Sequence, residues 1–229
     1  MNKQVSSFGS KTIIYYTSNR EDPKMEQKVI DDMLSKAGNI PIVSVSQKPM
    51  KLGQNICVGD VGFSSLNCRK QILMAAKLAK TEYVLCAESD SLYPPEYFNF
   101  EPKGDNFYRY FNIWVMWLMD ENRKDFYHKI GTYDGAQIVK RKFLIDLLEK
   151  HLKPYPGWYI SNDRNRKTRA PHNPYYEVDK NYIPGENPCI HIKTGNGLQY
   201  TTGVDEDPKS TRKSLPYWGD VKKLRAKFS

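Results

Sequence analysis

An α/β fold, with a mostly parallel, Rossmann-like central sheet flanked by helices, is predicted by three features of the sequence. Short apolar runs at Lys11–Thr17, Pro41–Ser46 and Glu82–Ala87 alternate with two segments of helical periodicity, near 22–38 and 64–80. The third run is nearly all apolar, as a central strand covered on both faces must be. A length of 229 residues suits one such domain with helices on both sides of its sheet.

Lys11–Thr17 reads as a buried first strand that breaks at Ser18-Asn19-Arg20. Asp22 is a good helix N-cap with Pro23 at the first helical position. Met25, Val29, Met33 and Ala37 then recur on one helical face, Ile30 and Leu34 widen it, and Gly38 ends it. Pro41–Ser46 is the second strand, and the β-α-β order implies a parallel pair with a right-handed crossover. Residues 47–63, rich in Gly, Asn and Asp, read as a loop.

Ser64–Lys80 is the next helix, with Leu66, Ile72, Leu73, Ala76 and Ala79 inward. The strand Glu82–Ala87 runs straight into Glu88-Ser89-Asp90, and Pro94-Pro95 stops regular structure. Beyond it the pattern loosens. Tyr110–Met119 reads as a strand and Ala136–Val139 as another. Arg141–His151 reads as a helix with Phe143, Leu144, Leu147 and Leu148 inward. Residues 153–188 read as loop, Ile190–Ile192 as a short strand, and the chain from Asp205 as a polar, basic tail.

Composition narrows the function. The formal net charge of +9 fits an anionic partner such as nucleic acid, a nucleotide or an acidic membrane surface, though it also fits a merely soluble basic protein. Sixteen tyrosines interleave with basic residues, which suits stacking on bases or sugars. There is no apolar stretch of about eighteen residues, so no membrane span is expected. The polar segment Met1–Ser10 lacks a signal-peptide core, so the cytoplasm is the expected compartment. The four cysteines form no CxxC pair, which argues against a zinc knuckle or a disulfide framework. No Gly-rich phosphate loop is present, which argues against ATP or NAD use.

The strongest chemical signal is Glu88-Ser89-Asp90. Two carboxylates at the carboxyl end of a buried strand stand where open α/β sheets bind ligands, and a bend there aims both at one hard cation such as Mn²⁺ or Mg²⁺. The same acid-x-acid spacing occurs at Glu177-Val178-Asp179 and Asp205-Glu206-Asp207, but neither follows an apolar strand. The competing reading of any such triplet is a solvated surface. His191, in Cys189–Gly197, is either a neutral nitrogen ligand for that cation or a strand histidine satisfied by a carbonyl.

The order of strand, Thr17-Ser18-Asn19, helix, strand, helix and Thr81–Asp90 resembles that of GT-A glycosyltransferases. Together with Ser18-Asn19-Arg20, Glu88–Pro95 and His191, it looks like the glycosyltransferases encoded by large bacteriophages, some of which decorate hydroxymethylated bases in phage DNA. The resemblance spans about residues 11–200 and is clearest up to residue 100. It implies a metal-dependent transfer from a nucleotide-sugar donor, a UDP-sugar by preference, with Mn²⁺ or Mg²⁺ held by Glu88, Asp90 and His191. It implies that Thr17, Ser18, Asn19 and Arg20 hold the nucleoside, with Arg69, Ser89 and Lys193 completing the donor site. The commonest GT-A motif has Asp where this chain has Glu88, which makes Asp90 the safer ligand.

On the same basis one domain is expected over 1–229, with a nucleotide-sugar-binding half at 11–100, an acceptor and sugar half at 101–204, and a basic tail at 205–229. Double-stranded DNA carrying hydroxymethylated bases is the implied acceptor. Arg164, Arg166, Lys167 and Arg169, and the basic residues from Lys209 to Lys227, are candidate contacts for its backbone. An inverting enzyme also needs a carboxylate base, for which Asp134, Asp163, Glu177 and Asp179 are candidates. Asp134 lies in an Asp-Gly pair that reads equally as a plain turn. Two rival readings stay open: a surface glycan or lipid-linked sugar as acceptor, and a non-catalytic nucleic-acid-binding protein. A nucleotidyltransferase also uses paired carboxylates and a metal, but no Gly-Ser or basic phosphate signature near the first strand favours it.

Overall fold

The computed structural model describes residues 10–120, 122–130, 133–159, 173–197, 203–205 and 207–229. Strand β1 (Lys11–Tyr16) enters α1 (Pro23–Ala37), and β2 (Ile42–Ser46) returns parallel to β1. The Asp22 side chain accepts hydrogen bonds from the backbone N–H groups of Lys24 and Met25, so the cap forms where the sequence places it. Strand β3 (Gln54–Cys57) and helix α2 (Ser65–Leu78) follow, then β4 (Tyr83–Glu88), which pairs parallel to β1 along its whole length. The Ser64 hydroxyl accepts from Asn67 N–H and starts α2.

After β4 come β5 (Ser91–Leu92), α3 (Pro95–Asn99), β6 (Phe107–Tyr110), β7 (Ile113–Trp117), β8 (Phe126–His128), β9 (Gln137–Lys140) and α4 (Arg141–Leu152). The chain closes with β10 (Asn181–Ile183), β11 (Cys189–Lys193), β12 (Thr211–Arg212), β13 (Ser214–Leu215), β14 (Gly219–Asp220) and α5 (Val221–Phe228).

Seven strands form one sheet in the order β10-β6-β9-β4-β1-β2-β3, with only β9 antiparallel to its neighbours. Side chains alternate across it. Ile13 and Tyr15 of β1 join a core with Ile30 and Met33 of α1, while Ile14 and Tyr16 join a core with Ile72 and Ala76 of α2 and Leu144 and Leu148 of α4. A second, five-stranded sheet runs β12-β8-β7-β11-β5. Its core packs Met116, Phe126, Ile190 and Ile192 against Met25 and Val29 of α1 and against Val221, Leu224 and Phe228 of α5. Helix α1 therefore serves both sheets. No helix among the described residues is long and apolar enough to cross a membrane.

Several expectations are corrected. The loop at 47–63 contains β3, whose residues are half-buried or exposed and which is held by pairing with β2 rather than by an apolar pattern. The strand expected over Tyr110–Met119 is two strands in different sheets. Tyr110 ends β6, the chain turns at exposed Phe111, and Asn112 fixes the turn by donating to the carbonyls of Gly185 and Glu186. Gly185 is required there, because a Cβ would stand 1.8 Å from the Tyr110 hydroxyl oxygen. Leu34 is 44% exposed and does not widen the buried face of α1. The loop at 153–188 contains β10 and a 3₁₀ turn at Pro174–Glu177. The basic tail carries a hairpin and a helix whose apolar face is spent on the second core.

Candidate functional site

The two sheets meet at the carboxyl ends of β1 and β4, where Tyr16 pairs with Glu88. The chain bends over Ser89-Asp90 and re-enters regular structure as β5, which belongs to the other sheet. There Ser91 pairs with His191 across β5 and β11, and the Asp90 carbonyl accepts from Ile192 N–H at 2.7 Å. This pairing brings together two residues far apart in sequence: His191 Nε2 lies 3.3 Å from Asp90 Oδ2. Both face a cavity of about 600 Å³, a size suited to a small-molecule ligand.

Burial pushes the His191 pKa down to about 4, helped by the charge of Lys193, so the ring is neutral at neutral pH. Burial also opposes the charge on Asp90. The hydrogen bond with His191, the charge of Lys193 and the Ser91 hydroxyl overcome that opposition and hold its pKa below the ordinary value. The pair is thus an anionic oxygen beside an uncharged nitrogen, the state a metal ion requires of both.

Glu88 is held differently. Tyr133 donates its hydroxyl to Glu88 Oε2 at 2.9 Å, bonds to Ser91 Oγ, and lays its ring against His191 with centroids 4.8 Å apart. Burial, and then the Asp90 charge, push the Glu88 pKa up to about 8. Gly135 presses on the same place, where a Cβ would stand 2.3 Å from Glu88 Oε2. Of the three expected metal ligands, the structure sets two face to face and turns the third onto Tyr133. Among the described residues no group of three His, Cys, Asp or Glu side chains converges on a common point.

The donor set still fits a hard divalent cation. Cis ligands about 2.1 Å from an octahedral ion lie roughly 3 Å apart, close to the Asp90–His191 separation, and Mg²⁺ and Mn²⁺ sites commonly take only one or two protein ligands with the rest from phosphate and water.

The expected donor residues divide. Thr17, Ser18, Arg69, Ser89 and Lys193 line the cavity. Asn19 does not: it sits at φ 51°, and its side-chain oxygen accepts from the backbone N–H groups of Gln47 and Lys48, which makes it an anchor for the turn after β2. Arg20 stands behind the wall, with its guanidinium 3.5 Å from the centre of the Phe63 ring and its Nε donating to Asn196 O.

Of the candidate bases, Asp134 lines the cavity, whereas Glu177 and Asp179 do not. Asp163, with the basic residues Arg164, Arg166, Lys167 and Arg169, lies outside the described residues. From the basic tail, Lys222, Lys223 and Lys227 are exposed on α5.

Sequence reading missed Glu21, Tyr133, Arg109 and Asn173. Glu21 is buried in the cavity wall and accepts from Thr194 Oγ1 at 2.5 Å. Burial, and then Asp90, push its pKa up to about 7. An acid placed between a strand end and a helix N-cap was the available signal. Arg109 and Asn173 gave none, because only the fold brings them to Asp134.

No family model and no curated protein matches the sequence. Solved structures do resemble the fold. The bifunctional IspDF from Campylobacter jejuni is 13% identical, with a TM-score of 0.43 over 78% of this chain and 50% of that one. The mannosyltransferase PcManGT from Pyrobaculum calidifontis, in complex with GDP-Man and Mn²⁺, is 10% identical, with a TM-score of 0.42 over 82% and 58%. S. aureus TarS 1-349 in complex with UDP-GlcNAc is 11% identical, with a TM-score of 0.38 over 70% and 51%. The chain spans about half the length of these structures.

Proposed function

We propose that the protein is a metal-dependent glycosyltransferase that takes a sugar from a nucleotide-sugar donor. The observation that carries this reading is the Asp90–His191 pair at the seam of the two sheets, opening on a cavity at the carboxyl edge of the parallel strands. That edge is where open α/β sheets bind nucleotides.

Asp90 and His191 would hold a Mn²⁺ or Mg²⁺ ion, which when bound offsets the charge of the donor's two phosphates and stabilises the departing nucleoside diphosphate. Thr17 and Ser18, which follow β1 and line the cavity, would hold the nucleoside. Lys193 and Arg69, both nearly buried, present cationic groups to the phosphates with little water to screen them. Tyr133 keeps Glu88 and the His191 ring in place. A UDP-sugar is the donor that the sequence resemblance favours.

For the acceptor we propose the hydroxymethyl group of a modified base in DNA. The net charge of +9 supports a polyanionic substrate, and on the cavity rim exposed Tyr176 offers a flat ring for a base and Ile130 an apolar contact. An acceptor embedded in an anionic membrane has less support, since α5 turns its apolar face into the core.

The test is mass spectrometry of nucleosides from hydroxymethylated DNA incubated with the protein, Mn²⁺ and a panel of nucleotide sugars. A hexose or pentose mass on one nucleoside is the expected result. Unmodified nucleosides from folded protein that still cleaves a nucleotide sugar contradict the DNA acceptor alone. Absence of both contradicts the glycosyltransferase.

A further inference from the structure

Asp134 is held in an unusual way for a general base. Arg109, on β6, is 2% exposed and donates from Nη2 to Asp134 Oδ1 at 3.0 Å. Asn173, at the start of the 3₁₀ turn, donates from Nδ2 to Asp134 Oδ2 at 2.7 Å. Among the described residues each carboxylate oxygen therefore takes one protein donor, and the two donors come from separate elements.

The Asp134 side chain keeps 32% of its surface exposed while its Arg109 partner keeps 3%, so the open side of the carboxylate faces the cavity. A carboxylate oxygen accepts two hydrogen bonds, which leaves one position on each oxygen for a ligand. Among the described residues Arg109 Nε and Nη1 have no hydrogen-bond partner, and Asp134 is the carboxylate that pairs with this buried guanidinium. A proton taken up at one of those free positions would neutralise Asp134 and leave the buried Arg109 charge without its counter-ion.

We infer that Asp134 is a fixed hydroxyl-recognition group, binding two neighbouring hydroxyls of the transferred sugar, and that it does not remove the acceptor's proton. Arg109 and Asn173 are its positioning residues. This rests on the glycosyltransferase reading. It also gives the loop that carries Tyr133 a double role, because consecutive residues reach Glu88 and His191 on one side and the sugar on the other.

The test compares nucleoside diphosphates with nucleotide sugars by titration calorimetry in the presence of Mn²⁺, using UDP with UDP-glucose and GDP with GDP-mannose. Wild-type protein is expected to bind one sugar nucleotide more tightly than its parent diphosphate. Asp134→Asn should keep the diphosphate affinity within about twofold and lose about tenfold or more for the sugar nucleotide, the loss expected for charged hydrogen bonds. Asn173→Ala, a milder change at the same carboxylate, should move sugar-nucleotide affinity the same way by a smaller factor while leaving the diphosphate alone. Equal losses for both ligands, or none, overturn the inference. So does Asp134→Asn protein that binds the sugar nucleotide normally but has lost turnover and the acidic limb of its pH profile, which is the behaviour of a missing base. Wild-type protein that binds none of the four ligands overturns the glycosyltransferase reading, and this inference with it.

Discussion

In the seven-stranded sheet, β1 and β4 pair over six residues and β1 and β2 over four, all parallel, between helices that cover both faces. In the five-stranded sheet, β5 and β12 contribute two residues each, and the partners β5 and β11 come from distant parts of the chain. The first sheet is stabilised by continuous apolar strands. The second is built from short strands whose partners lie far apart in the chain, and α5 packs onto its core. The candidate site uses one residue from the bend between the sheets, Asp90, and one from the second sheet, His191. Continuous strands supply the platform, and long-range pairing of short strands supplies the converging chemistry.

The largest expected effect tests whether the two regions form one cooperative unit. Phe228→Ala, at the base of the second core, should cost about 3–5 kcal/mol, and Leu85→Ala, in the first, about 2–5 kcal/mol. Because α1 buries Met25 and Val29 in one core and Ile30 and Met33 in the other, each variant should unfold in a single transition in urea, with circular dichroism and tryptophan fluorescence coinciding. Two separated transitions after Phe228→Ala would break the comparison by making the second sheet an independent appendage.

A smaller effect is expected at Gly53, which lies at φ 56° with the position of a Cβ only 2.1 Å from Ile42 O. Gly53→Ala should destabilise the protein by roughly 1–3 kcal/mol through the approach to β3, and a neutral result in thermal melts would place that edge outside the cooperative fold. The smallest is the cap of α1. Asp22→Ala should cost about 1 kcal/mol, read from the urea midpoint, since it releases the N–H groups of Lys24 and Met25 near the chain's surface.

The same contrast explains what the sequence made legible. From β1 to β4 the apolar runs, the Asp22 and Ser64 caps and the periodicity of α1 agree, and apart from β3, which carries no apolar pattern, the observed elements follow them. Beyond β4 the signals fail because the strands are too short to show a period. Tyr110 and Ile113 stand three positions apart in one aromatic run, and only the Asn112 contacts reveal that the chain changes sheets between them.

For the site, position at a strand end singled out Asp90, and a neighbouring strand pattern singled out His191. Their meeting depends on β5 pairing with β11, which no local pattern encodes. Asn19 shows the opposite failure: a polar residue at a strand end looked like a ligand contact, and its side chain is consumed by the next turn. Arg109 sits within an aromatic strand, so nothing local marks it as the partner of Asp134.

The most direct test of the central claim is Mn²⁺ uptake measured by electron paramagnetic resonance, with and without UDP or GDP, on wild-type, Asp90→Ala and His191→Ala protein. The account predicts that the wild-type protein binds Mn²⁺, more tightly with a nucleoside diphosphate present, and that each substitution weakens binding by about tenfold or more while the fold is kept. Uptake that is the same in all three proteins would contradict it, and would remove Asp90 and His191 from any metal-dependent chemistry at the seam.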